Sequence, residues 1–519
     1  MKILSKCMFG GFVAGLCGMF FLGGAVSATP AQRHLPEPLV KAAKRWKVQT
    51  QNVSIAVLPV ARNLQTKNQE GLVPLHFGWR EDVRHEPAST AKVLTTLVAI
   101  EELSARQRWY TSFFWKKDAQ VDRQGIMKSP LYIRGGGDTS LVIEDFALLL
   151  DRLAQTGVKH IQGDIVVDRS LFAIAQESRN AFDGRGSRPY NLTPDPALIN
   201  YRNLSFELIP RPEKNRVRVI ALPKMAGVQI PRFMKLQKKG RCGDWKSAIG
   251  YKIVSQKNGK KVVRFQGSLP LSCGAKTFNV ISFSANEYLE RVFRAYWQKD
   301  GRSWTGKVVD GRVPDGAEKI YTHASAPIAD MIRLTNKWSN NVMARHLFLS
   351  LGLPRYLKRK EEIQNKQKQG IPVASQVKGL TLDESRAVLD TWLRQHQIDS
   401  KKIWLDNGSG LSRSALVTAR TMAQVLLAGA NSPYASEFMS SLPVTGEDGT
   451  MYKRKIASSW GRIKTGFLSD VRSIAGYVRA KDGKLYVVYA SVVGRKNMPG
   501  GIAFLDNVLL WVYNGAHLD

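Results

Sequence analysis

Acidic side chains, cysteine and metal-binding patterns are what this sequence has little of. Against 77 Lys and Arg it sets only 42 Asp and Glu, a formal charge of +35 over 519 residues. An excess of that size implies a polyanionic neighbour: nucleic acid, an acidic membrane surface or an anionic cell wall. Four cysteines are present. No His-Glu-x-x-His, Cys-x-x-Cys or Gly-x-Ser-x-Gly occurs, which leaves metal hydrolysis and an α/β-hydrolase triad without support. No cofactor and no metal are expected. The apolar run from Phe9 to Phe21 is interrupted by glycine and falls short of the ~20 residues a membrane-spanning helix needs. The rest is ordinary for a globular protein, 44% hydrophobic and 23% charged, and the length predicts two or three domains.

The first 28 residues read as a cleaved secretory signal. Lys2 and Lys6 form a basic start, the apolar run follows, and Val26-Ser27-Ala28 supplies small residues at a cleavage site. Cys17 follows Leu16, not a small residue, which argues against a lipid-modified terminus. Removing this segment lowers the charge from +35 to +33 and takes Cys7 and Cys17 with it. Cys242 and Cys273 remain, an even pair in an exported chain, and read as one disulfide. Export also argues against nucleic acid as the partner.

Glu37 to Lys47 has the pattern of a short amphipathic helix, Val53 to Val60 of a strand, and Leu72 to Trp79 of its hairpin partner. From Ser112 to about Asn279 the texture is short β-rich runs with many turns, broken by helical periodicity near Leu141 to Leu153. This stretch, 111–280, is read as one or two inserted domains, between a first part at 29–110 and a second at 281–519. Helical texture returns at Glu287 to Trp297, Pro327 to Trp338, Val342 to Leu351 and Leu382 to Gln395. Arg355 to Gly370 is strongly basic and reads as a solvated loop or helix. Two β runs near the end, Arg472 to Arg479 and Leu485 to Val493, flank a turn at Asp482-Gly483 and predict a hairpin, followed by an apolar helix from Ile502 to Tyr513. Gly135-Gly136-Gly137-Asp138 lacks phosphate-loop spacing and reads as a tight turn.

The chemistry concentrates in three short patterns. Pro87-Ala88-Ser89-Thr90-Ala91-Lys92 leads into an apolar helical run, so Ser89 and Lys92 fall on one face in the first turn. A Lys that is partly desolvated beside other cations gives up its proton readily, and its neutral amine can serve as base for a serine nucleophile. Ser-x-x-Lys recurs at Ser375 and Lys378, without a long apolar helix after it. Ser-x-Asn occurs three times downstream, at Ser178, Ser284 and Ser339. Ser178 looks like a turn. Ser284 precedes a helix, and Ser339 lies between two helical runs where both side chains can project, so the pattern alone leaves those two open. Lys464-Thr465-Gly466 occurs once, just before the terminal hairpin, where a strand edge can clamp a substrate carboxylate.

In that order the three patterns resemble those of the penicillin-binding proteins and serine β-lactamases. The 250 residues between Ser89 and Ser339, with Gly408-Ser409-Gly410-Leu411-Ser412-Arg413, Ser441-Leu442-Pro443 and Asp448-Gly449-Thr450, make the chain similar to the class C low-molecular-mass members, the D-alanyl-D-alanine carboxypeptidase/endopeptidases. The resemblance covers the whole mature chain and selects Ser339 over Ser284. It implies an α+β fold: an antiparallel sheet with helices plus an all-α lobe, interrupted by β-rich inserted domains.

It also implies residue roles. Ser89 forms the acyl-enzyme, Lys92 takes its proton, Ser339 relays a proton, and Asn341 holds Lys92 or the substrate amide. Lys464 and Thr465 bind the terminal carboxylate, with Gly466 beside them, and the oxyanion hole is built from the N–H groups of Ser89 and Phe467. The implied partners are peptidoglycan stem peptides and cross-links, with β-lactams as covalent inhibitors. The implied place is the periplasm. A loose association with membrane or wall and a homodimer are carried as further expectations. Three departures accompany the match: Asn340 where the family usually has Asp, the bulky Phe467 where a small or hydroxylic residue is usual, and a stretch from Arg355 to Gly370 that is longer and more basic than expected. The rival readings are a β-lactamase or esterase on the same scaffold and a non-catalytic peptidoglycan-binding protein.

Overall fold

Side-chain alternation along the last two long strands builds the central sheet. In Val471–Arg479 and Leu485–Val493, Ile474, Val478, Val488, Ala490 and Val492 face one apolar layer, while Ala475, Tyr477, Val487 and Tyr489 face the other. Strand Val53–Pro59 divides in the same way, with Val53, Ile55 and Val57 on one side and Ala56 and Leu58 on the other. A period-two strand that is apolar on both faces needs cover on both faces. The computed structural model, which describes residues 34–60, 75–175, 177–369 and 377–518, supplies that cover. The signal expectation at 1–28 and Ser375 lie outside the described residues.

The sheet is antiparallel and ordered Gly461–Phe467, Val471–Arg479, Leu485–Val493, Val53–Pro59, Phe77–Trp79. The expected hairpin partner at 72–79 is described only from residue 75, and its strand is Phe77–Trp79. Helices Glu37–Trp46 and Met498–Tyr513 pack on one face. Helices Ala91–Leu103 and Ala419–Asn431 pack on the other. Around them Ile328–Trp338, Asn341–Ser350, Leu382–Gln395 and Ala435–Ser441 build an all-helical lobe sharing that second core. Ala91–Leu103 is buried at every residue but Glu101 and Glu102 near its end.

The chain between Leu103 and Ile328 forms the β-rich layers. One five-stranded sheet is ordered Val308–Asp310, Ile165–Asp168, Leu131–Arg134, Tyr110–Trp115, Glu318–Ala324, and a second Ser268–Pro270, Phe233–Gln237, Arg216–Leu222, Leu204–Arg211, Lys276–Val280. Two three-stranded sheets and the helices Ile143–Gln155 and Ala285–Trp297 complete this region around one core. Cys242 and Cys273 are disulfide-bonded across a sequence separation of 31. The expected end of the insertion at 280 falls short, because Glu318–Ala324 pairs with Tyr110–Trp115 and helix Ala285–Trp297 shares the insert's core. The β-rich layers therefore continue to Ala324. The local pattern missed this because a strand's partner is set by a crossover, not by its neighbours in sequence. Arg355 to Gly370, left as loop or helix, is helical over Leu353–Lys368. At the triple glycine, a side chain on Gly136 would collide with the Tyr110 backbone, so close backbone packing accounts for that residue. No helix among the described residues is long and apolar enough to cross a membrane.

Candidate active site

Ser89 sits in a single 3-10 turn, Ala88–Thr90, that runs straight into helix Ala91–Leu103. Within the turn Thr90 Oγ1 donates to the Pro87 carbonyl at 2.6 Å, and Ser473 Oγ, on the sheet, donates to the same oxygen at 2.7 Å and tethers the turn. Lys92, on the first helical turn, is 0% exposed. Its Nζ lies 2.9 Å from Ser89 Oγ and 2.7 Å from Asn341 Oδ1, and it also donates to the Ser409 carbonyl. Burial pushes the Lys92 amine well below the usual lysine range, and the charges of Lys464 and Arg345 push the same way. A neutral amine has two N–H donors and one lone pair. With Asn341 Oδ1 and the Ser409 carbonyl taking the donors, the lone pair is left to face the Ser89 hydroxyl.

Ser339 and Asn341 come from the junction of Ile328–Trp338 and Asn341–Ser350. Ser339 terminates the first helix in a left-handed conformation, φ 57° and ψ 39°, which turns the chain sharply there. Asn340 caps the second helix, its Oδ1 accepting from Val342 N at 3.0 Å and Met343 N at 3.2 Å. Asn and Asp cap about equally well, so the departure at this position leaves the local backbone role intact. The other two Ser-x-Asn copies have local jobs. Ser284 Oγ caps helix Ala285–Trp297 by accepting from Glu287 N, and Ser178 Oγ accepts from Asn180 N.

The third wall is the edge strand Gly461–Phe467. Lys464 is fully buried, and its Nζ donates to Ser339 Oγ at 3.0 Å and to the Thr465 carbonyl at 2.7 Å. Burial lowers its pKa to about 7. Thr465 Oγ1 donates to Thr450 Oγ1 at 2.8 Å. A side chain on Gly466 would run into the Ser473 hydroxyl and the Pro87–Ala88 backbone, so glycine lets the strand lie against the nucleophile turn. The Ile463 N–H points off the sheet edge and donates to Pro443. Two-residue alternation places the Thr465 and Phe467 N–H groups on that same outer edge, where an oxyanion needs its donors. The Phe467 ring is 63% exposed, with the Arg472 guanidinium 3.5 Å from its centroid, so it lies out in solvent and does not fill the site.

Three contributors lie outside the three short patterns. The Ser409 carbonyl arrives from a loop 317 residues away in sequence, and the Tyr190 carbonyl, 3.3 Å from Asn341 Nδ2, comes from the inserted region. Backbone oxygens leave no residue preference to read. Arg413 is a third: its Nη1 lies 2.7 Å from Asp470 Oδ1 and 3.1 Å from Glu86 Oε2, joining the Ser409 loop to the segments beside Phe467 and Ser89. The Gly408 to Arg413 motif was the signal, and this ion-pair bridge is its physical content.

The chain is similar to known proteins. The D-alanyl-D-alanine carboxypeptidase of Actinomadura sp. (strain R39) is 25% identical over 442 residues, 81% of this chain and 76% of the relative. The D-alanyl-D-alanine carboxypeptidase DacB of Haemophilus influenzae is 25% identical over 405 residues, 76% of this chain and 78% of the relative. Penicillin binding protein 4 (dacB) from Haemophilus influenzae has the same fold, with a TM-score of 0.68 at 20% identity, covering 92% of this chain and 99% of that one. Residues 77–508, which hold the three walls and the inserted layers, match the D-Ala-D-Ala carboxypeptidase 3 (S13) family, and the chain belongs to that family of serine D-Ala-D-Ala carboxypeptidases.

Proposed function

We propose that the chain acts in the periplasm on peptidoglycan, as a D-Ala-D-Ala carboxypeptidase and as a DD-endopeptidase, through an acyl-enzyme on Ser89. Ser89 Oγ attacks the carbonyl of the penultimate D-Ala while Lys92 Nζ takes the hydroxyl proton. The N–H groups of Ser89 and Phe467 hold the developing oxyanion. The C–N bond then breaks, and the proton passes from Lys92 through Ser339 to the leaving amine. Water attacks the Ser89 ester, gives its proton back through Lys92, and frees the shortened stem. Lys464 and Thr465 receive the terminal carboxylate, and Asn341 holds Lys92 in place.

The observation that carries this reading is the buried Lys92 amine within 2.9 Å of Ser89 Oγ, its donors engaged elsewhere. The same chemistry cuts a cross-link when the leaving amine belongs to a neighbouring stem. β-Lactams acylate Ser89 by the same route; the Haemophilus influenzae relative has been solved with a β-lactam bound. The test is labelling with a fluorescent penicillin, alongside mass spectrometry of muropeptides. Wild type labels and Ser89→Ala does not; pentapeptide monomers lose D-Ala, and cross-linked dimers become monomers. Intact protein that never labels sinks the reading, and fast penicillin turnover without D-Ala release makes the chain a β-lactamase instead.

A further inference from the structure

The basic helix Leu353–Lys368 has no part in the site just described. It forms one wall of a cavity of about 670 Å³, closed on the other side by the insert sheet strands Tyr110–Trp115, Leu131–Arg134 and Glu318–Ala324 and by the segment after Asp310. None of Ser89, Lys92, Ser339 or Lys464 lines it. Arg134 and Lys319 reach it from the sheet, Arg312 from the loop, and Lys360 from the helix. Arg108 stands at one end, donating to the Ser325 carbonyl.

Two carboxylates face these cations. Asp168 is already engaged: it accepts from Ser170 N at 3.0 Å, from Val313 N at 3.2 Å and from Arg134 Nε at 3.4 Å. Asp315 is the other acid on the lining. Among the described residues no carboxylate forms an ion pair with Arg312, Lys319 or Lys360. The positive charges repel one another: burial lowers the Lys360 pKa, Arg134 and Lys319 push the same way, and Asp168 opposes them. Between the cations the walls are apolar and aromatic, with Phe114, Tyr110, Tyr356 and Leu357. The Arg134 guanidinium lies 4.8 Å from the Phe114 ring centroid, which holds its fork in place. Cations that outnumber the carboxylates of a semi-enclosed site gain most from a ligand that brings further anionic groups.

From this geometry we infer a second peptidoglycan site: the cavity binds an acidic stem peptide, its carboxylates on Arg134, Arg312, Lys319 and Lys360 and its aliphatic parts on Tyr110, Phe114 and Leu357. The inference rests on the peptidoglycan reading above. A stem is favoured because the walls between the cations are apolar, which suits a peptide that alternates carboxylates with methyl and methylene groups. In a cross-linked polymer such a site holds one strand while another is cut at Ser89.

The test uses the full mature chain and a disaccharide-tripeptide, which carries free carboxylates and no D-Ala-D-Ala. Binding is measured by calorimetry before and after acylation with penicillin, in wild type, in Arg312→Glu/Lys360→Glu and in the milder Lys319→Ala. The expected result is a dissociation constant unchanged by acylation, raised at least about tenfold in the double variant and about threefold in Lys319→Ala, and weakened by salt. Penicillin labelling stays at the wild-type rate in both variants, which shows that they fold. Binding lost on acylation, or kept within twofold in the labelled double variant, overturns the inference. Inorganic pyrophosphate that binds more tightly than the tripeptide and displaces it also overturns it. Failure of wild type to label, with tripeptide binding intact, would fall on the Ser89 mechanism and not on this site.

Discussion

The central sheet and the inserted sheets use the same backbone pattern to opposite ends. Strand Val471–Arg479 is buried at every residue but its last, and Leu485–Val493 at every residue but its two ends. In the insert, Arg216–Leu222 and Leu204–Arg211 alternate buried positions with exposed and half-exposed ones. An antiparallel sheet needs only one dry face, and the insert keeps to that. The central sheet has helices on both faces, which makes it a dry frame against which a lysine can be buried. Lys92 and Lys464 sit in that dry frame with lowered pKa values, whereas Lys235 and Lys252 stand exposed on insert strands. The lesson is that one residue type is buried with a lowered pKa in one layer and stands exposed in the other, and that packing decides which.

The sharpest way to break this contrast is to remove the groups held by the dry frame. Ser89→Ala is expected to abolish penicillin labelling and to lower D-Ala release by about 10,000-fold or more, measured on a pentapeptide substrate. Lys92→Met keeps the nucleophile and removes the base, and should slow acylation by about 1,000-fold in stopped-flow labelling. Its melting temperature should fall, because Met supplies no donor to Asn341 Oδ1 or to the Ser409 carbonyl and leaves two buried acceptors unpaired.

Varying pH comes next. Lys92 must be neutral to act as base, so activity rises as pH climbs through its lowered pKa. Lys464 must be charged to hold a carboxylate, so kcat/KM falls as pH rises through about 7. A bound carboxylate favours the charged amine, so the alkaline limb of kcat lies above that of kcat/KM. Lys464→Arg, which keeps its charge, should lose the alkaline limb in a pH profile of D-Ala release.

The insert should answer differently. Cys273→Ala opens the bridge to Cys242, which spans 31 residues, and is expected to cost about 2–4 kcal/mol in denaturant unfolding of that region. Penicillin labelling by the folded fraction should stay unchanged. The smallest effect is expected at Phe467→Ala. The ring lies outward, and the backbone N–H proposed for the oxyanion survives, so labelling should change by less than about threefold.

Local features of this design could be read from residues, and distant ones could not. Ser89 and Lys92 are a helical turn apart, so their approach follows from helix geometry. The terminal hairpin announced itself through two alternating runs around Asp482-Gly483, and the single Lys464-Thr465-Gly466 lay beside it. Ser339 and Ser284 looked alike in sequence because both stand at helix ends. What separates them is tertiary: Ser339 meets Lys464, whereas Ser284 caps its own helix. The Ser409 and Tyr190 carbonyls stayed invisible, since any residue supplies a carbonyl. Helix Leu353–Lys368 reads ambiguously because it has no fully buried residue, and its apolar face of Leu353, Tyr356, Leu357 and Ile363 is too sparse among the charges to reveal its period.

The central claim is that neutral Lys92 activates Ser89, and the acylation rate as a function of pH tests it most directly. It should be read in wild type and Lys92→Met, with the acylated residue located by mass spectrometry. The account predicts an adduct on Ser89 whose wild-type rate rises with pH below the usual lysine range, and a variant slowed about 1,000-fold that lacks this limb. An adduct on another residue, or a Lys92→Met variant that acylates at the wild-type rate, would contradict it.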